Sequence, residues 1–397
     1  MKLAFVVQRY GADIAGGSEA HCRQLAERLS TRHEITVLTT CARDYVTWAN
    51  ALPPGEQRDG RVRVLRFPVR RRRNLKSFAD ISDEVFDIGA SRERQNDWFR
   101  ENGPDAPALL EYLRQHGGEY ELVVFWTYRY APSYFGVPLV ADRAVLVPTA
   151  EDDPAIDLNV LHEFLRLPAG YIFLTPEEQA LVTSRAGVDL RPAAVIGIGI
   201  DPPAAVDPAP MLARYSIPTE FILYLGRVDR NKGCDTLLEY FQDYAARHPR
   251  ATLVLAGPAK MQIPEHTSIR ALGYVSSDLR NALLASARAL IVPSPYESLS
   301  IVLLEAWNHG VPALVNGRCR VLEGQVRRAN GGLYYRSSRD FEEALTFLLS
   351  HPRERDAFGC QGRAYVDREY RWETVLARVE ELFTRVRRQG TSTRAAR

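Results

Sequence analysis

The chain has 397 residues, 46% of them hydrophobic and 25% charged, which is long enough for two globular domains that each bury a core. Its 51 basic and 49 acidic residues leave a formal charge of +2, which excludes a general electrostatic footprint for nucleic acid. Five scattered cysteines without CxxC spacing argue against a disulfide framework or a zinc site and fit a reducing cytoplasm: Cys22, Cys41, Cys234, Cys319 and Cys360.

Short apolar strands alternate with amphipathic helices in the first half of the chain, which predicts a parallel α/β sheet covered on both faces. The predicted strands are "KLAFVVQ", "EITVLTT", "VRVLRF", "ELVVFW" and "AVLVPTA", and the helix after the first strand is "SEAHCRQLAERLSTR". These apolar runs are far shorter than the ~20 residues of a membrane span. The start, "MKLAFVVQRYG", carries no small-residue cleavage site, so we expect no signal peptide and a cytoplasmic protein.

The same alternation returns in the second half, after the proline-rich segment "DPPAAVDPAPMLARYSIP". Here the helix "DTLLEYFQDYAARH" follows the first of five predicted strands: "FILYLGRV", "ATLVLAG", "IRALGYV", "ALIVPSP" and "PALVNG". We therefore predict two Rossmann-like doubly wound domains, residues 1–199 and 200–375. Residues 376–397 are predicted to form a helix that crosses back to the first domain and ends in a frayed tail.

The loop "YLGRVDRNKGCD" follows a strand and opens a helix, which is where parallel sheets bind anions. Gly226 permits close backbone approach, and Arg227 and Lys232 could neutralise a diphosphate. The chain has neither a GxxxxGK[ST] loop nor a GxGxxG after its first strand, which argues against kinases, ATPases and simple dinucleotide oxidoreductases. By itself this loop could also be a surface turn.

The stretch "SPYESLSIVLLEAW" places two carboxylates, Glu297 and Glu305, eight positions apart around the start of a predicted helix. Ser298 or Ser300 would cap that helix. Buried carboxylates need hydrogen bonds, and sugar hydroxyls are suitable donors. A neighbouring arginine or a backbone amide is the alternative partner.

Together these motifs resemble the retaining glycosyltransferases of family 4. The resemblance rests on E-x7-E in "ESLSIVLLE", "LGRVDRNKG" upstream of it, "LAGP" and "LGYV" between them, and "GGSEAHCRQLAERL" near the amino terminus. It extends from Lys2 to the helix after Trp372. It implies a GT-B fold, in which an acceptor-binding and a nucleotide-sugar-binding Rossmann-like domain face each other across a cleft.

The resemblance also implies site residues. Arg227 and Lys232 would hold the donor diphosphate together with the backbone of Gly17, Glu305 would hold the ribose, and Glu297 would lie near the donor sugar. The other implied donor contacts are Gly16, Gly226, Ser298, Leu299 and Ser300, with Gly273 to Val275 lining the base pocket.

The implied reaction is retaining transfer of a hexosyl group from a donor such as GDP-mannose or UDP-glucose. The acceptor would be a hydroxyl of a polysaccharide, a lipid-linked sugar or a small metabolite. We expect no cofactor beyond the nucleotide sugar and no metal, because fixed cations and helix N–H groups can stabilise the departing diphosphate. The sequence has no DxD motif, and "EDD" at 151–153 only superficially resembles one.

Glu151 is a departure from the family. Many members have histidine followed by aspartate where "LVPTAEDDPAI" has Glu151 and Asp152. Glu151 could replace the histidine as a contact to the donor sugar and so be catalytic, mark an altered acceptor, or indicate reduced activity. His21 lies on the first helix, and we expect a surface or interface imidazole there. The alternative function is a catalytically weak GT-B protein that serves as a regulatory or scaffolding subunit.

The basic run Arg70 to Arg73 and the following residues, 75–98, are a candidate acceptor or membrane-facing surface, because arginines attract anionic lipid. The sequence therefore leaves open a peripheral contact with the inner face of the membrane. A solvated loop is the simpler interpretation of this run.

Overall fold

The computed structural model describes residues 1–14, 16–86, 90–204 and 207–395, the last five by backbone alone. The chain forms two compact units. Unit 1 comprises Met1–Gly197 and Val375–Arg397, and unit 2 comprises Ile198–Thr374.

Unit 1 contains an eight-stranded sheet with the order β3-β4-β2-β1-β5-β6-β7-β8. All neighbouring strands pair in parallel except β3 and β4, which are antiparallel. The strands are β1 (Lys2–Val6), β2 (Glu34–Thr40), β3 (Gly55–Asp59), β4 (Val62–Phe67), β5 (Leu122–Trp126), β6 (Ala144–Val147), β7 (Gly170–Phe173) and β8 (Ala193–Val195).

The central strands of this sheet are buried on both faces, because helices cover them. The helices of the first half are α1 (Gly17–Leu29), α2 (Leu75–Phe86), α3 (Arg92–Asn102), α4 (Pro107–His116), α5 (Ala131–Gly136), α6 (Val160–Phe164) and α7 (Pro176–Ala186). Short 3-10 segments lie at Gly117–Glu119, Val137–Arg143 and Pro154–Asp157.

Unit 2 contains a six-stranded, wholly parallel sheet with the order β11-β10-β9-β12-β13-β14. Its strands are β9 (Ile222–Leu225), β10 (Leu253–Ala256), β11 (Ile269–Gly273), β12 (Ala289–Val292), β13 (Ala313–Asn316) and β14 (Gly332–Tyr335). Its helices are α8 (Ala209–Arg214), α9 (Cys234–Arg247), α10 (Ser277–Ser286), α11 (Ile301–Asn308), α12 (Arg320–Ala329), α13 (Ser338–Ser350) and α14 (Pro352–Glu369), with a 3-10 turn at Arg230–Lys232. The last helix, α15 (Trp372–Ala395), begins in unit 2 and continues in unit 1.

The prediction of an α/β protein with two parallel-sheet domains is confirmed. The sequence pattern missed β3, β7, β8 and β14. β3 is a polar edge strand, "GEQRD", which has no apolar face to reveal it. The other three are short strands of three or four residues near the sheet edges.

Within the described ranges, no helix is long and apolar enough to cross a membrane.

Candidate active site

In unit 2, the loop after β9 makes a close backbone contact with the loop after the neighbouring strand β10. Gly226 and Gly257 have φ values of +146° and +145°, a backbone conformation that side chains disfavour. A Cβ atom at Gly257 would collide with the Gly226 carbonyl oxygen. Glycine is required here because the two strand-end loops approach each other without space for a side chain.

The side chain of Asp229 organises the rest of this loop. It pairs with the guanidinium of Arg227 and accepts the backbone N–H of Lys232 at 2.9 Å, which caps the short 3-10 turn. The Tyr224 hydroxyl donates to the Arg227 carbonyl oxygen at 2.6 Å. Arg227 and Lys232 therefore lie on a turn fixed at both ends, as a binding loop requires.

Lys232 connects this loop to the loop after β12. Its Nζ donates to Glu297 Oε1 at 2.7 Å, although the two residues are 65 positions apart in the chain. β9 and β12 are neighbours in the sheet, so their carboxyl ends lie side by side. The Lys232 side chain is 32% exposed and that of Glu297 is 13% exposed, so a ligand could reach the pair.

α11 begins three residues after Ser298, with Ser300 at its N-cap position. Ser300 is thus one of the two serines predicted to cap the helix, but its hydroxyl makes no capping hydrogen bond. Its backbone N–H instead donates to the buried Gln325 side chain at 3.2 Å, and Leu299 is buried beside it. A side chain of α12 therefore fixes the start of α11. The first N–H groups of α11 can bind an anion.

Glu305 lies in the second turn of α11, and its carboxylate pairs with Arg280 on α10. Burial raises the pKa of the Glu305 carboxyl, and the charge and hydrogen bond of Arg280 oppose that rise. Arg280 therefore helps to keep the carboxylate ionised. This pairing is the arginine alternative that the sequence left open, and it engages one carboxylate oxygen, Oε2.

The segment predicted to line a base pocket follows β11. Gly273, the last residue of the strand, has a φ of +65°, and the next residue, Tyr274, is 85% exposed. Val275 is half-buried. An exposed ring beside a strand-end glycine offers a surface on which a nucleotide base could stack.

In unit 1, the loop after β1 contains a buried ion pair beside the two predicted glycines. Arg9 Nε donates to Glu19 Oε1 at 2.9 Å, and Gln8 Nε2 donates to the same oxygen at 3.0 Å. A Cβ atom at Gly16 would collide with the Glu19 carboxylate, so a side chain there would have to displace this paired group. Gly17 is exposed at the start of α1.

Glu151 follows β6 after a strained turn. Thr149 has a φ of +48°, an unfavourable conformation for a β-branched residue. Burial lowers the pKa of Arg129, but the charges of Tyr128, Asp153 and Glu151 together raise it well above its usual value, and the Arg129 guanidinium pairs with Asp153. Glu151 thus lies among charged groups at a strand end, and it is half-buried.

Glu178, on α7, is a fully buried carboxylate near Glu151. Its Oε1 accepts the Ala150 N–H at 2.7 Å and its Oε2 accepts the Leu174 N–H at 2.6 Å. Burial raises the pKa of Glu178 to about 8; the backbone hydrogen bonds oppose this rise, and the negative charge of Glu151 adds to it.

Of the two alternatives for His21, a surface or an interface imidazole, the surface one is wrong. The ring is buried and accepts the Trp126 Nε1–H at Nδ1, at 3.3 Å. Burial lowers its pKa to about 4, so the ring is neutral at pH 7. His21 is therefore a packed core residue of unit 1.

The arginine run is mostly engaged within the chain. Arg70 pairs with Asp105 and Arg71 with Glu101, and Arg73 donates to the Asn102 carbonyl oxygen. Arg72 is exposed. The following region, 75–98, contains α2 and most of α3, and its residues 87–89 lie outside the described ranges.

The sequence-predicted residues of unit 2 lie after strands of one sheet, and those of unit 1 lie after β1 and β6, two strands that β5 separates. Sequence reasoning missed the residues that hold them: Asp229, Arg280 and Gln325 in unit 2, and Arg9, Glu19 and Glu178 in unit 1. Only Glu178 carried a local signal, the capping-box pattern "TPEE" at 175–178. Among the described residues, no group of three or more His, Cys, Asp or Glu side chains is arranged to hold a metal ion.

Solved structures with the GT-B fold align with this chain and its two parallel-sheet units. Sucrose-phosphate synthase from Thermosynechococcus elongatus aligns with a TM-score of 0.73 and 18% identity over 96% of this chain and 98% of its own. HepE of Anabaena in complex with UDP-glucose aligns with a TM-score of 0.65 and 15% identity over the full length of both chains. At these identities the likeness shows the fold alone.

Residues 219–351 match the family model described as glycosyl transferases group 1. An uncharacterized glycosyltransferase of Methanocaldococcus jannaschii is 28% identical over 166 residues, 39% of this chain and 42% of the relative. The phosphatidyl-myo-inositol mannosyltransferase of Mycolicibacterium smegmatis is 25% identical over 399 residues, 96% of this chain and 93% of the relative. The chain spans about half the length of several other curated relatives, 47–52%. The similarity to glycosyl transferases group 1 therefore covers residues 219–351, and the similarity to a mannosyltransferase extends over most of the chain at 25% identity.

Proposed function

We propose that the protein is a retaining glycosyltransferase of family 4 that moves a hexosyl group from a nucleotide sugar to a hydroxyl acceptor. The observation that carries this proposal is the 2.7 Å contact between Lys232 and Glu297, which joins two motif loops at one sheet edge. Both residues lie within the segment that matches glycosyl transferases group 1.

The charges of unit 2 suit departure of a nucleoside diphosphate. Arg227, Lys232 and the first N–H groups of α11 would bind the diphosphate, where negative charge increases in the transition state. Glu297 would exchange its bond to Lys232 for hydroxyls of the donor sugar, while Glu305 would accept the ribose hydroxyls. In the family, the acceptor attacks from the face that the leaving group occupies.

The donor is proposed to be of the GDP-mannose or UDP-glucose type. The names of the relatives support this class, because they include a mannosyltransferase, and one neighbour of the same fold was solved with UDP-glucose. The acceptor is proposed to be a polysaccharide, a lipid-linked sugar or a small metabolite. We propose Glu151 as a catalytic contact to the transferred sugar, in place of the family histidine.

Incubation of the protein with labelled UDP- and GDP-sugars tests the proposal. We expect slow hydrolysis of one donor, with release of the nucleoside diphosphate, and the same rate in EDTA because no metal is needed. Complete loss in EDTA that Mn²⁺ restores would contradict the metal-free mechanism. If the protein hydrolyses no donor and transfers sugar to no acceptor, the proposed glycosyltransferase activity is contradicted.

The second candidate is a catalytically weak GT-B protein that acts as a regulatory or scaffolding subunit. Glu151 in place of the family histidine favours it. This candidate predicts that the protein binds a UDP- or GDP-sugar, as measured by calorimetry, but does not hydrolyse or transfer it.

A peripheral contact with the cytoplasmic face of the membrane is proposed for the surface around Arg72. Because Arg70, Arg71 and Arg73 bond within the chain, their reversal would disturb the fold, so Arg72→Glu is the cleaner variant. We expect it to weaken sedimentation with anionic vesicles about fivefold, since one basic side chain near such a surface contributes ~1 kcal/mol. Equal sedimentation of the variant and the parent would contradict the contact.

A further inference from the structure

One buried glutamate side chain in unit 1 joins two strand-end loops. Glu178 accepts the Ala150 N–H at 2.7 Å and the Leu174 N–H at 2.6 Å, one with each oxygen. Ala150 follows β6 and Leu174 follows β7, which is the next strand of the sheet. The side chain is 0% exposed, so water does not compete for these bonds, and Glu178 does not reach a substrate.

The Ala150 bond lies directly after a strained turn that needs support from its surroundings. Thr149, with φ +48°, immediately precedes Ala150, and a β-branched residue in this region costs ~1–3 kcal/mol. Such a conformation persists only where the surroundings impose it. The bond from Glu178 holds the next N–H in the chain, and Glu151 is the residue after that. Glu178 therefore fixes the direction in which the chain leaves the turn.

We propose that Glu178 is a positioning residue for Glu151. By holding the Ala150 N–H it keeps the Glu151 carboxylate in the place from which that group acts on the donor sugar. This inference rests on the proposed function, in which Glu151 contacts the transferred sugar.

Glu178 also has a purely structural interpretation. It occupies the N3 position of a capping box, in which Thr175 accepts the Glu178 N–H at 3.1 Å. A cap alone would stabilise α7 and would act independently of Glu151. The two interpretations therefore differ in whether the effects of the two glutamates are coupled.

A double-mutant cycle of Glu178→Gln and Glu151→Gln separates these interpretations, with Glu177→Gln as the matched control on the same helix turn. Glutamine has one acceptor oxygen, so either the Ala150 or the Leu174 N–H would face the amide NH₂ group, which is itself a donor. We measure the hydrolysis of UDP-glucose and GDP-mannose. Glu178→Gln should lower kcat on the order of tenfold with donor KM nearly unchanged, and the double variant should match Glu151→Gln alone, because coupled residues are not additive.

Amide hydrogen exchange gives a readout that does not depend on activity. The peptide that contains residues 149–152 should exchange faster in Glu178→Gln, whereas the β1 peptide and the Glu177→Gln protein should match the parent. If Glu178→Gln does not fold, Glu178→Asp replaces it, because it keeps both acceptor oxygens on a shorter stem and should loosen the same peptide.

Additive losses in kcat, or unchanged exchange at 149–152, would overturn the inference and leave the proposed function standing. A parent protein that hydrolyses neither donor and transfers to no acceptor would instead overturn the proposed function, and the positioning role with it. The two failures are therefore distinguishable.

Discussion

The two units hold their strand-end charges in different ways. In unit 2, the motif residues pair side chain to side chain at partly exposed positions, as Lys232 does with Glu297 and Arg280 with Glu305. In unit 1, Glu178 and Glu19 are buried, the first bound by backbone N–H groups and the second by Arg9 and Gln8.

This difference suggests a division of roles. Solvent weakens an ion pair whose cation is about a third exposed, so a ligand can replace one partner at lower cost than in the core. A buried carboxylate cannot be exchanged in this way, because loss of its donors would leave an uncompensated polar group in the core. The ion pairs of unit 2 can therefore exchange partners, whereas the buried groups of unit 1 maintain the shape of the loops beside them.

Removal of a unit 2 cation should have the largest effect. Lys232→Ala and Arg227→Ala should each weaken donor use ~10–150-fold, because a charge-assisted hydrogen bond contributes ~1.5–3 kcal/mol. The measurements are kcat/KM and donor affinity by calorimetry. Arg230→Ala, an exposed cation in the same turn, is the control and should resemble the parent. Equal donor affinity in the parent and the three variants would contradict the proposed diphosphate site.

Glu151→Gln tests whether unit 1 also contributes to chemistry. Glutamine keeps the shape of the side chain but removes the charge that could accept sugar hydroxyls or stabilise positive charge at the anomeric carbon. We expect a loss in kcat on the order of 10–100-fold, or ~1.4–2.7 kcal/mol, with little change in nucleotide affinity. Steady-state kinetics checks this, and a parent-like kcat would make Glu151 structural.

The buried carboxyl of unit 1 should also affect stability as the pH changes. Burial raises the pKa of Glu178 from 4.5 to about 8, so the folded chain keeps a proton that the unfolded chain loses. The contribution of Glu178 to the free energy of unfolding is therefore greatest below about pH 4.5. It should fall by ~1.4 kcal/mol per pH unit as the pH rises towards 8.

Urea unfolding between pH 5 and pH 8 measures this contribution as the difference between the parent and Glu178→Gln. Glu177→Gln should retain the pH dependence of the parent. Glu177 lies on the same helix turn, but the Ala150 and Leu174 N–H groups donate to Glu178. Parallel curves for the parent and Glu178→Gln would show that Glu178 binds the same number of protons in both states.

Arg280→Ala should have the smallest effect. The pair with Glu305 is partly exposed, at 37% and 21%, so its loss should weaken binding of UDP or GDP about fivefold, or ~1 kcal/mol. Calorimetry of both nucleotides measures this. Arg288→Ala, which removes an exposed pair with Glu220 at the other end of α10, is the control. Unchanged affinity in Arg280→Ala would mean that Glu305 needs no partner to act.

The sequence predicted the parts of the site that are local. Arg227 and Lys232 follow an apolar strand. Glu297 precedes a helix, and Glu305 lies in the second turn of that helix. The periodicity of strands and helices therefore predicts that all four residues lie at the carboxyl ends of the strands. The sequence did not predict their partners. Arg280 lies 25 positions from Glu305, and Lys232 lies 65 positions from Glu297, and no periodic pattern connects residues so far apart.

The sequence by itself determined the α/β class, the two parallel sheets and the set of charged loops, because these follow from short-range alternation of apolar and polar residues. Only the tertiary structure decided which charges meet. β9 lies beside β12 and β6 beside β7, and this strand order brings Lys232 to Glu297 and Glu178 to the Ala150 N–H. Strand order depends on how whole helices cover the sheet, so the free energy that fixes it is spread over the entire core and is not encoded in any one segment.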